Sequence, residues 1–345
     1  MSSPGPHNLI TDVSGLHVGH AADENLRSGV TVVLPVKRAA CSVDVRGGGS
    51  GTRETDLLRP EASMQAVDGI CLAGGSAFGL DAASGAMHWL AAHGRGFALH
   101  GHIVPIVPAA ILFDLTNGGN KAWGAEPPYR RLGWEACEAA SPEAFPLGNT
   151  GAGYGAMAGR LKGGLGSCSW VENDGLVVGA MVAVNPVGSV LTPGNRSFWA
   201  APYEQGGEFG AIPRDDHRDD RSAALDLGIA AEARITNPRT GGHTCIGVVA
   251  TNAPLGKTAL RHVASMAHDG LARAIRPVHT PFDGDTLFAL ATADWDDDNA
   301  REEPWLIARV GSIAADCVAR AVARGVWSAA PLGAFNTARQ AIEQK

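Results

Sequence analysis

The sequence has no excess of basic residues and no long apolar run, and each absence excludes a class of protein. Lys and Arg number 28 against 35 Asp and Glu, so the formal net charge is −7. Because nucleic acids and anionic membranes are bound through basic surfaces, this balance argues against both as partners. No window approaches the roughly 20 apolar residues of a membrane span, and the N-terminus lacks the basic and apolar regions of a signal peptide. We therefore expect a soluble, cytoplasmic protein.

Cysteine is also sparse, and its six residues are scattered without a C-x-x-C pair. This pattern fits neither a zinc knuckle nor a disulfide framework, so we expect reduced cysteines that serve as small core residues. They are Cys41, Cys71, Cys137, Cys168, Cys245 and Cys317. Tyrosine is rare at three residues, whereas glycine is abundant at 45. That contrast indicates tight turns and close packing of backbone segments.

The glycine-rich stretch VRGGGSGTRETDLLRP (45–60) does not match a phosphate-binding loop. Such a loop requires G-x-x-x-x-G-K-[ST], or G-x-G-x-x-G opening a helix, and no Lys stands at the required place. We therefore expect no nucleotide cofactor and interpret these glycines as a loop that lets the backbone approach another segment. We also expect no metal, because the D-x-D pair at 283–285 lacks EF-hand spacing and a convergent His.

Short apolar runs predict strands, and longer periodic stretches predict helices. The strands fall at 31–36, 41–46, 69–75, 176–186, 244–252 and 285–294, and the helices at 76–94, 255–275 and 302–325. Strands and helices that do not strictly alternate favour a layered α/β domain, with sheet on sheet and helices outside. A polar, charge-dense segment at 201–226 reads as a surface loop or linker.

One predicted strand begins in an unusual way. Its first residues follow Gly-Gly and are His243, Thr244 and Cys245, three reactive side chains at the mouth of an apolar strand. Lys162 is a cation within the glycine cluster at 148–170. If it is desolvated, its pKa falls and it can interact with a nucleophile; the alternative is an exposed Lys on a turn.

Two further places carry candidate polar groups. Asn185 ends a strongly apolar strand just before Pro186, where its side-chain amide can act as an oxyanion donor or simply start a turn. Asp283 and Asp285 lie two residues apart at the start of a strand, so their side chains point to the same face. Such a pair can hold a cation, orient an amine or share a proton, or it can belong to an ordinary Asp-Gly turn.

Six ordered blocks, covering nearly the whole chain, resemble one family: the L-aminopeptidase/D-esterases, β-peptidyl aminopeptidases and nylon-oligomer hydrolases. The blocks are VDVRGGGSGTRETDLL, GICLAGGSAFGLDAASG, GNTGAGYGAMAGRLKGGLGS, VAVNPVGSV, GGHTCIGVVATNAPL and PVHTPFDGDTLFAL. The resemblance implies a four-layer αββα sandwich like that of the N-terminal-nucleophile hydrolases. It also implies a precursor that cuts itself just before a Ser or Thr and assembles into a homo-oligomer, a tetramer or larger.

On this sequence the matching bond is His243–Thr244, so a single domain 1–345 is expected to yield residues 1–243 and 244–345. The resemblance implies that Thr244 is the nucleophile and that its freed α-amine, with a reference pKa of about 7.7–8.0, is the general base. Cys245 is the intrinsically better nucleophile, but the register favours Thr244. His243 stands where relatives commonly carry Asn or Gly.

The resemblance assigns the other candidates as well. Asn185 is implied to stabilise the tetrahedral oxyanion, and Asp283 with Asp285 to orient the nucleophile and its amine. Lys162 matches a functional Lys, with Arg160 as a rival for the same role. Gly75 and Phe78 are implied to bind substrate, and Phe78 stands where some relatives carry an active-site Tyr.

The leading hypothesis is a self-processing amidohydrolase that releases N-terminal residues from short peptides, amides or esters through an acyl-enzyme. The nearest variant is an endo-acting hydrolase of nylon-like ω-amino-acid oligomers. Two alternatives stay open: an acyltransferase of the ornithine acetyltransferase kind, and an unprocessed relative that is not an enzyme.

Overall fold

Two β-sheets lie face to face between two layers of helices in the computed structural model, which describes residues 2–195, 197–211, 243–293 and 304–343. The first sheet has the strand order β1-β2-β6-β9-β4 and the second the order β12-β13-β14-β15-β3-β5. Neighbouring strands pair antiparallel, except for the parallel pairs β6–β9 and β14–β15. Two small ribbons, β7–β8 and β10–β11, complete the described strands.

The strand bounds are β1 Leu16–Asp23, β2 Ser28–Pro35, β3 Ala39–Val45, β4 Thr52–Arg53, β5 Ala66–Val67, β6 Ile70–Ala73, β7 Phe97–Leu99, β8 His102–Val104, β9 Ala109–Ile111, β10 Met157–Ala158, β11 Leu161–Lys162, β12 Gly164–Val171, β13 Val177–Val184, β14 Ile246–Thr251 and β15 Thr286–Ala291. The α-helices are α1 Ala82–Ala92, α2 Tyr129–Glu138, α3 Lys257–Ala274, α4 Pro304–Trp327 and α5 Ala338–Glu343.

The core consists of three apolar layers. Helices α1 and α2 pack on the first sheet, and α3 and α4 pack on the second. Successive residues of strand β2 pack in different layers: Val32 faces the α1–α2 side, whereas Val33 lies between the sheets. Because both faces of the central strands are covered, their sequences are continuously apolar rather than alternating. The arrangement confirms the predicted αββα sandwich.

All six predicted strands and all three predicted helices are present, with shifted ends. The predicted helix at 76–94 begins as a 3₁₀ turn, Ser76–Asp81, before α1. The sequence interpretation missed β1, β12 and α2. Strand β12 was not predicted because it contains glycines, a residue type that is depleted in strands. They are required here because a Cβ at Gly166 would lie 1.8 Å from the carbonyl oxygen of Ala321 in α4.

The predicted surface loop 201–226 is described only as far as residue 211, and 212–226 lie outside the described residues. Its described part is anchored rather than free. Phe209 is buried, and Glu208 forms a 2.6 Å ion pair with the buried Arg320 of α4. The six cysteines are reduced and buried, as predicted. Within the described ranges, no helix combines the length and apolar character that a membrane crossing requires.

The strand order brings separate sequence segments to one edge of the second sheet. Strands β14 and β15 run parallel, so the residues preceding each, 243–245 and 283–285, lie side by side. Strand β13 is antiparallel to β14, which places its last residues and Asn185 at the same edge. The end of β3, which leads into the glycines after residue 46, pairs with the start of β15. Sheet topology therefore gathers the candidate residues.

Candidate active site

Thr244 lies at this edge with its side chain almost completely buried. Its backbone N–H donates to the carbonyl of Asn185 at 2.8 Å. Its hydroxyl Oγ1 lies 2.5 Å from the carbonyl oxygen of His243, the residue that precedes it. The same carbonyl accepts a hydrogen bond from the N–H of Gly284 at 3.0 Å. The hydroxyl is thus held beside the peptide bond that joins His243 to Thr244.

Asn185 is fixed from both ends of its side-chain amide. Its Oδ1 accepts from the N–H of Met157 at 2.9 Å, and its Nδ2 donates to the carbonyl of Phe113 at 3.2 Å. An amide nitrogen carries two N–H groups, so Nδ2 keeps a donor beyond the one that Phe113 uses. Because Asn185 also holds Thr244 through its backbone, this donor is positioned close to the nucleophile candidate.

Lys162 is fully buried, whereas its rival Arg160 is exposed. The Nζ of Lys162 donates to three backbone carbonyls, at 2.9 to 3.2 Å; they belong to Gly153, Ala156 and Gly163. Burial disfavours the charged amine and lowers the pKa of Lys162 to about 7, although the nearby carboxylate of Asp114 opposes this shift. An amine with such a pKa exchanges protons readily near neutral pH, which supports Lys162 over Arg160.

The carboxylates of Asp283 and Asp285 are both buried and brace the backbone around the nucleophile candidate. Asp283 accepts from the N–H of Val187 at 3.1 Å and from Thr280, and Asp285 accepts from the N–H of Cys245 at 2.8 Å. Burial and the neighbouring Asp285 raise the pKa of Asp283. Neither carboxylate bonds Thr244 itself in the described part of the chain, so their influence on it passes through the adjoining backbone.

The sequence interpretation missed His279, which contacts the second oxygen of Asp285. Nδ1 of His279 lies 2.7 Å from Oδ2 of Asp285, and the imidazole is 18% exposed. Its ring packs edge-to-face against that of His268, with 4.8 Å between centroids. The block HTPFDGD contains this His six residues before Asp285, but local sequence does not reveal that the two side chains meet.

Asp114 was missed as well, although it contacts one of the residues predicted to bind substrate. Its Oδ1 accepts from the N–H of Gly75 at 2.8 Å, and its carboxyl group also interacts with the side chain of Ser28. Burial raises the pKa of Asp114. Because the carbonyl of the adjacent Phe113 accepts from Asn185, the chain places Asp114 near the oxyanion candidate.

Phe78 lies in the 3₁₀ turn that follows Gly75, and its ring is half exposed. The ring contacts Trp123 edge-to-face, with 5.3 Å between centroids. An exposed aromatic ring that is supported from behind suits contact with an apolar part of a ligand. Phe78 and Gly75 belong to the same turn, and their role in binding substrate stays a prediction.

Cys245 is a poor rival to Thr244. Its side chain packs in the apolar layer between the second sheet and the helices. Burial raises the pKa of its thiol well above the ordinary value, and the thiolate is the reactive form. Across the described residues, no group of three His, Cys, Asp or Glu side chains is arranged to hold a metal ion.

Comparison with known proteins finds a matching family model and several similar chains. The model of peptidase family S58 matches residues 8–340. An uncharacterized aminopeptidase of Mycobacterium bovis is 44% identical over 353 residues, which cover 96% of this chain and 97% of that protein. A 6-aminohexanoate-oligomer endohydrolase of Paenarthrobacter ureafaciens is 29% identical, covering 85% of this chain and 78% of that protein.

A solved structure shares the architecture. The L-aminopeptidase D-Ala-esterase/amidase of Ochrobactrum anthropi, described as a variant of the Ntn hydrolase fold, superposes with a TM-score of 0.66. It is 19% identical and the match covers all of this chain and 96% of the other. At this identity the likeness shows the fold alone, which is the Ntn-hydrolase variant expected from the sequence.

Proposed function

The chain belongs to peptidase family S58 and is therefore a hydrolase, and from that premise we propose that it is a self-processing amidohydrolase whose nucleophile is Thr244. The observation that carries the proposal is the contact between Thr244 Oγ1 and the carbonyl of His243. Cleavage of this peptide bond turns Thr244 into an N-terminus, leaving residues 1–243 and 244–345.

In the first cut, the α-nitrogen of Thr244 is tied up in the peptide bond and cannot serve as the base. Lys162 is our candidate for accepting the hydroxyl proton, because burial lowers its pKa to about 7 and the neutral amine has only two N–H groups for its three carbonyl partners. Hydrogen bonds connect the two neighbourhoods: Lys162 bonds the carbonyl of Ala156, and the N–H of the next residue bonds Asn185, which holds Thr244. This connection supports Lys162 as part of the same site.

In the processed enzyme, the α-amine of Thr244 takes over as base, since its reference pKa of about 7.7–8.0 is close to working pH. The hydroxyl attacks a substrate carbonyl, and the remaining N–H of Asn185 Nδ2 stabilises the oxyanion. Loss of the amine product leaves an acyl-enzyme, which water then hydrolyses. Asp283 and Asp285 act as positioning residues: Asp285 fixes the backbone N–H of Cys245, which follows the nucleophile, and Asp283 fixes that of Val187 in the adjoining segment.

For the substrate, we propose a short peptide or amide with a free amino group. Asp114 supports this choice, because a buried carboxyl group beside Gly75, one of the residues predicted to bind substrate, suits an ammonium group that brings its own donors. The 44% identity to aminopeptidases favours exo-cleavage. The 29% identity to 6-aminohexanoate-oligomer endohydrolases supports a second candidate, endo-cleavage of ω-amino-acid oligomers. Assembly into a homo-oligomer of processed protomers stays a prediction, which light scattering tests.

The decisive experiment follows the chain on a denaturing gel. Purified wild-type protein should give two bands, with Thr244 as the first residue of the smaller one. Thr244→Ala should give a single band and no amidase activity. Thr251→Ala is the matched control: Thr251 ends the same strand and its hydroxyl bonds the carbonyl of Val177, away from the site. It should be cut normally.

A folded wild-type chain that stays as one band after prolonged incubation contradicts the proposal. A panel of amino-acid p-nitroanilides, β-peptides and aminohexanoate oligomers then separates exo- from endo-cleavage. Assays with and without an amine acceptor separate hydrolysis from acyl transfer.

A further inference from the structure

The carbonyl oxygen of His243 already accepts a backbone N–H in the uncut chain. Gly284 donates this hydrogen bond at 3.0 Å, from the position between the two aspartates. The hydroxyl of Thr244 approaches the same oxygen from its own side. Gly284 is buried, and so are His243 and Thr244. A donor and a nucleophile therefore converge on one carbonyl in surroundings that exclude water.

This geometry is that of an oxyanion donor. When a hydroxyl attacks a carbonyl, the carbonyl oxygen gains negative charge, and a preorganised N–H at about 2.7–3.1 Å stabilises it. The 3.0 Å separation is measured before attack, to the same oxygen that becomes the oxyanion. Burial strengthens the effect, because the interaction is electrostatic and a low dielectric screens it less.

We infer that the backbone N–H of Gly284 is the oxyanion donor of self-cleavage, distinct from Asn185, which serves the later substrate. The inference rests on the proposed function, because it assigns a group to the proposed cut. Thr244 Oγ1 bonds the carbonyl carbon of His243, and its proton passes to the base. The C–N bond then breaks and the Thr244 nitrogen takes up a proton. Water hydrolyses the resulting ester, leaving a carboxylate on His243.

The glycine-rich stretch 45–60, which does not match a phosphate-binding loop, holds this donor in place. The N–H of Gly49 donates to the carbonyl of Asp283 at 2.8 Å, and the N–H of Arg46 donates to that of Asp285 at 2.7 Å. These bonds clamp the backbone on both sides of Gly284. The contact is so close that a Cβ at Gly284 would lie 2.4 Å from the carbonyl oxygen of Gly49. Glycine is therefore needed at 284 for close approach of two backbones.

The test is Gly284→Ala, whose methyl group must push the 284 backbone away from residue 49 and so misplace the N–H. Removal of one oxyanion donor typically slows a reaction about 10²–10³-fold. Since the displaced N–H is weakened rather than deleted, we expect self-cleavage of freshly synthesised precursor to slow by at least about tenfold. Cleavage at the wild-type rate in folded Gly284→Ala overturns the inference.

Gly133→Ala is the matched control for loss of stability. Gly133 lies in α2, in the opposite outer layer, and its added Cβ would meet the carbonyl oxygen of Ala82 at 2.0 Å, a comparable collision. It should destabilise the fold without slowing the cut. If Gly133→Ala slows cleavage as much as Gly284→Ala does, the effect is one of stability and the inference fails. A wild-type chain that is never cut rejects the proposed function instead.

Hydrogen exchange gives a second measurement if Gly284→Ala does not fold. In the uncut Thr244→Ala protein, the amide of Gly284 should exchange at least about tenfold more slowly than in the processed wild type, where the His243 carbonyl is released. Equal exchange in the two proteins overturns the inference, because it shows that this amide does not hold the scissile carbonyl.

Discussion

Nδ1 of His279 lies 2.7 Å from Oδ2 of Asp285, whose other oxygen accepts the N–H of Cys245 at 2.8 Å. One carboxylate thus links the imidazole to the strand that carries Thr244. Two satisfied oxygens leave the carboxylate a single orientation, so His279 helps to fix the strand that carries Thr244. The backbone of His279 has φ 54°, a left-handed conformation that Asn tolerates better than most residues.

His279→Ala should therefore destabilise the protein and slow the cut. Loss of the partner of a buried acceptor costs about 1–3 kcal/mol, which urea unfolding measures. His279→Asn keeps a donor and accepts the positive φ, so it should recover at least half of that loss. If the Asn variant is no better than the Ala variant, His279 contributes by packing against His268 rather than by holding Asp285.

Lys162→Met should flatten the dependence of stability on pH. In the folded protein the pKa of Lys162 is lowered to about 7 from 10.5. Between these two pH values the unfolded chain therefore binds one more proton than the folded protein does. Stability therefore rises with pH from about 7 to 10.5, by up to about 1.4 kcal/mol per pH unit from this group. Urea unfolding at pH 7, 8 and 9 measures the slope, and equal slopes in both proteins contradict the burial effect.

Self-cleavage should depend on the same group. As pH falls below about 7, the Lys162 amine becomes protonated and can no longer accept the Thr244 hydroxyl proton. We expect the cleavage rate to fall about tenfold per pH unit in this range, measured by quenched time courses of fresh precursor. A rate that does not change between pH 5 and 7 rules out Lys162 as the base.

Asp114→Asn should weaken the binding of substrates that have a free amino group more than the binding of substrates that lack one. The amide retains the acceptor for the N–H of Gly75 but cannot ionise. For substrates with a free amine we expect KM to rise about tenfold or more, consistent with a charged hydrogen bond worth about 1.5–3 kcal/mol. N-acetylated versions of the same amides are the control. If their KM rises equally, Asp114 does not bind the substrate amine.

Cys245→Ala should leave the chemistry intact. Its thiol is neutral and packed in the core, so the substitution creates a small cavity and costs about 1 kcal/mol of stability. Both the two-band pattern and amidase activity should persist. An uncut but folded Cys245→Ala protein would instead identify the thiol as the nucleophile.

Much of the fold could be read from local sequence. Continuous apolar runs located β2, β3, β6, β13, β14 and β15, because buried strands must be apolar on both faces. Strands β1 and β12 were not predicted because they combine glycines with polar residues and so lack a continuous apolar run. Only a close partner explains such a glycine: a Cβ at Gly19 would lie 1.9 Å from the carbonyl oxygen of Ala136 in α2. Such contacts join residues far apart in the chain and leave no periodic trace.

The sequence by itself determined the layered class, the family resemblance and the register that singles out Thr244, since these depend on ordered local patterns. Only the tertiary structure decided that Lys162 is buried while Arg160 is exposed, and that His279, Asp114 and Gly284 belong to the candidate site. The physical reason is strand pairing. The parallel alignment of β14 with β15 sets which N–H meets which carbonyl. No local pattern around His243 specifies that its carbonyl will face Gly284.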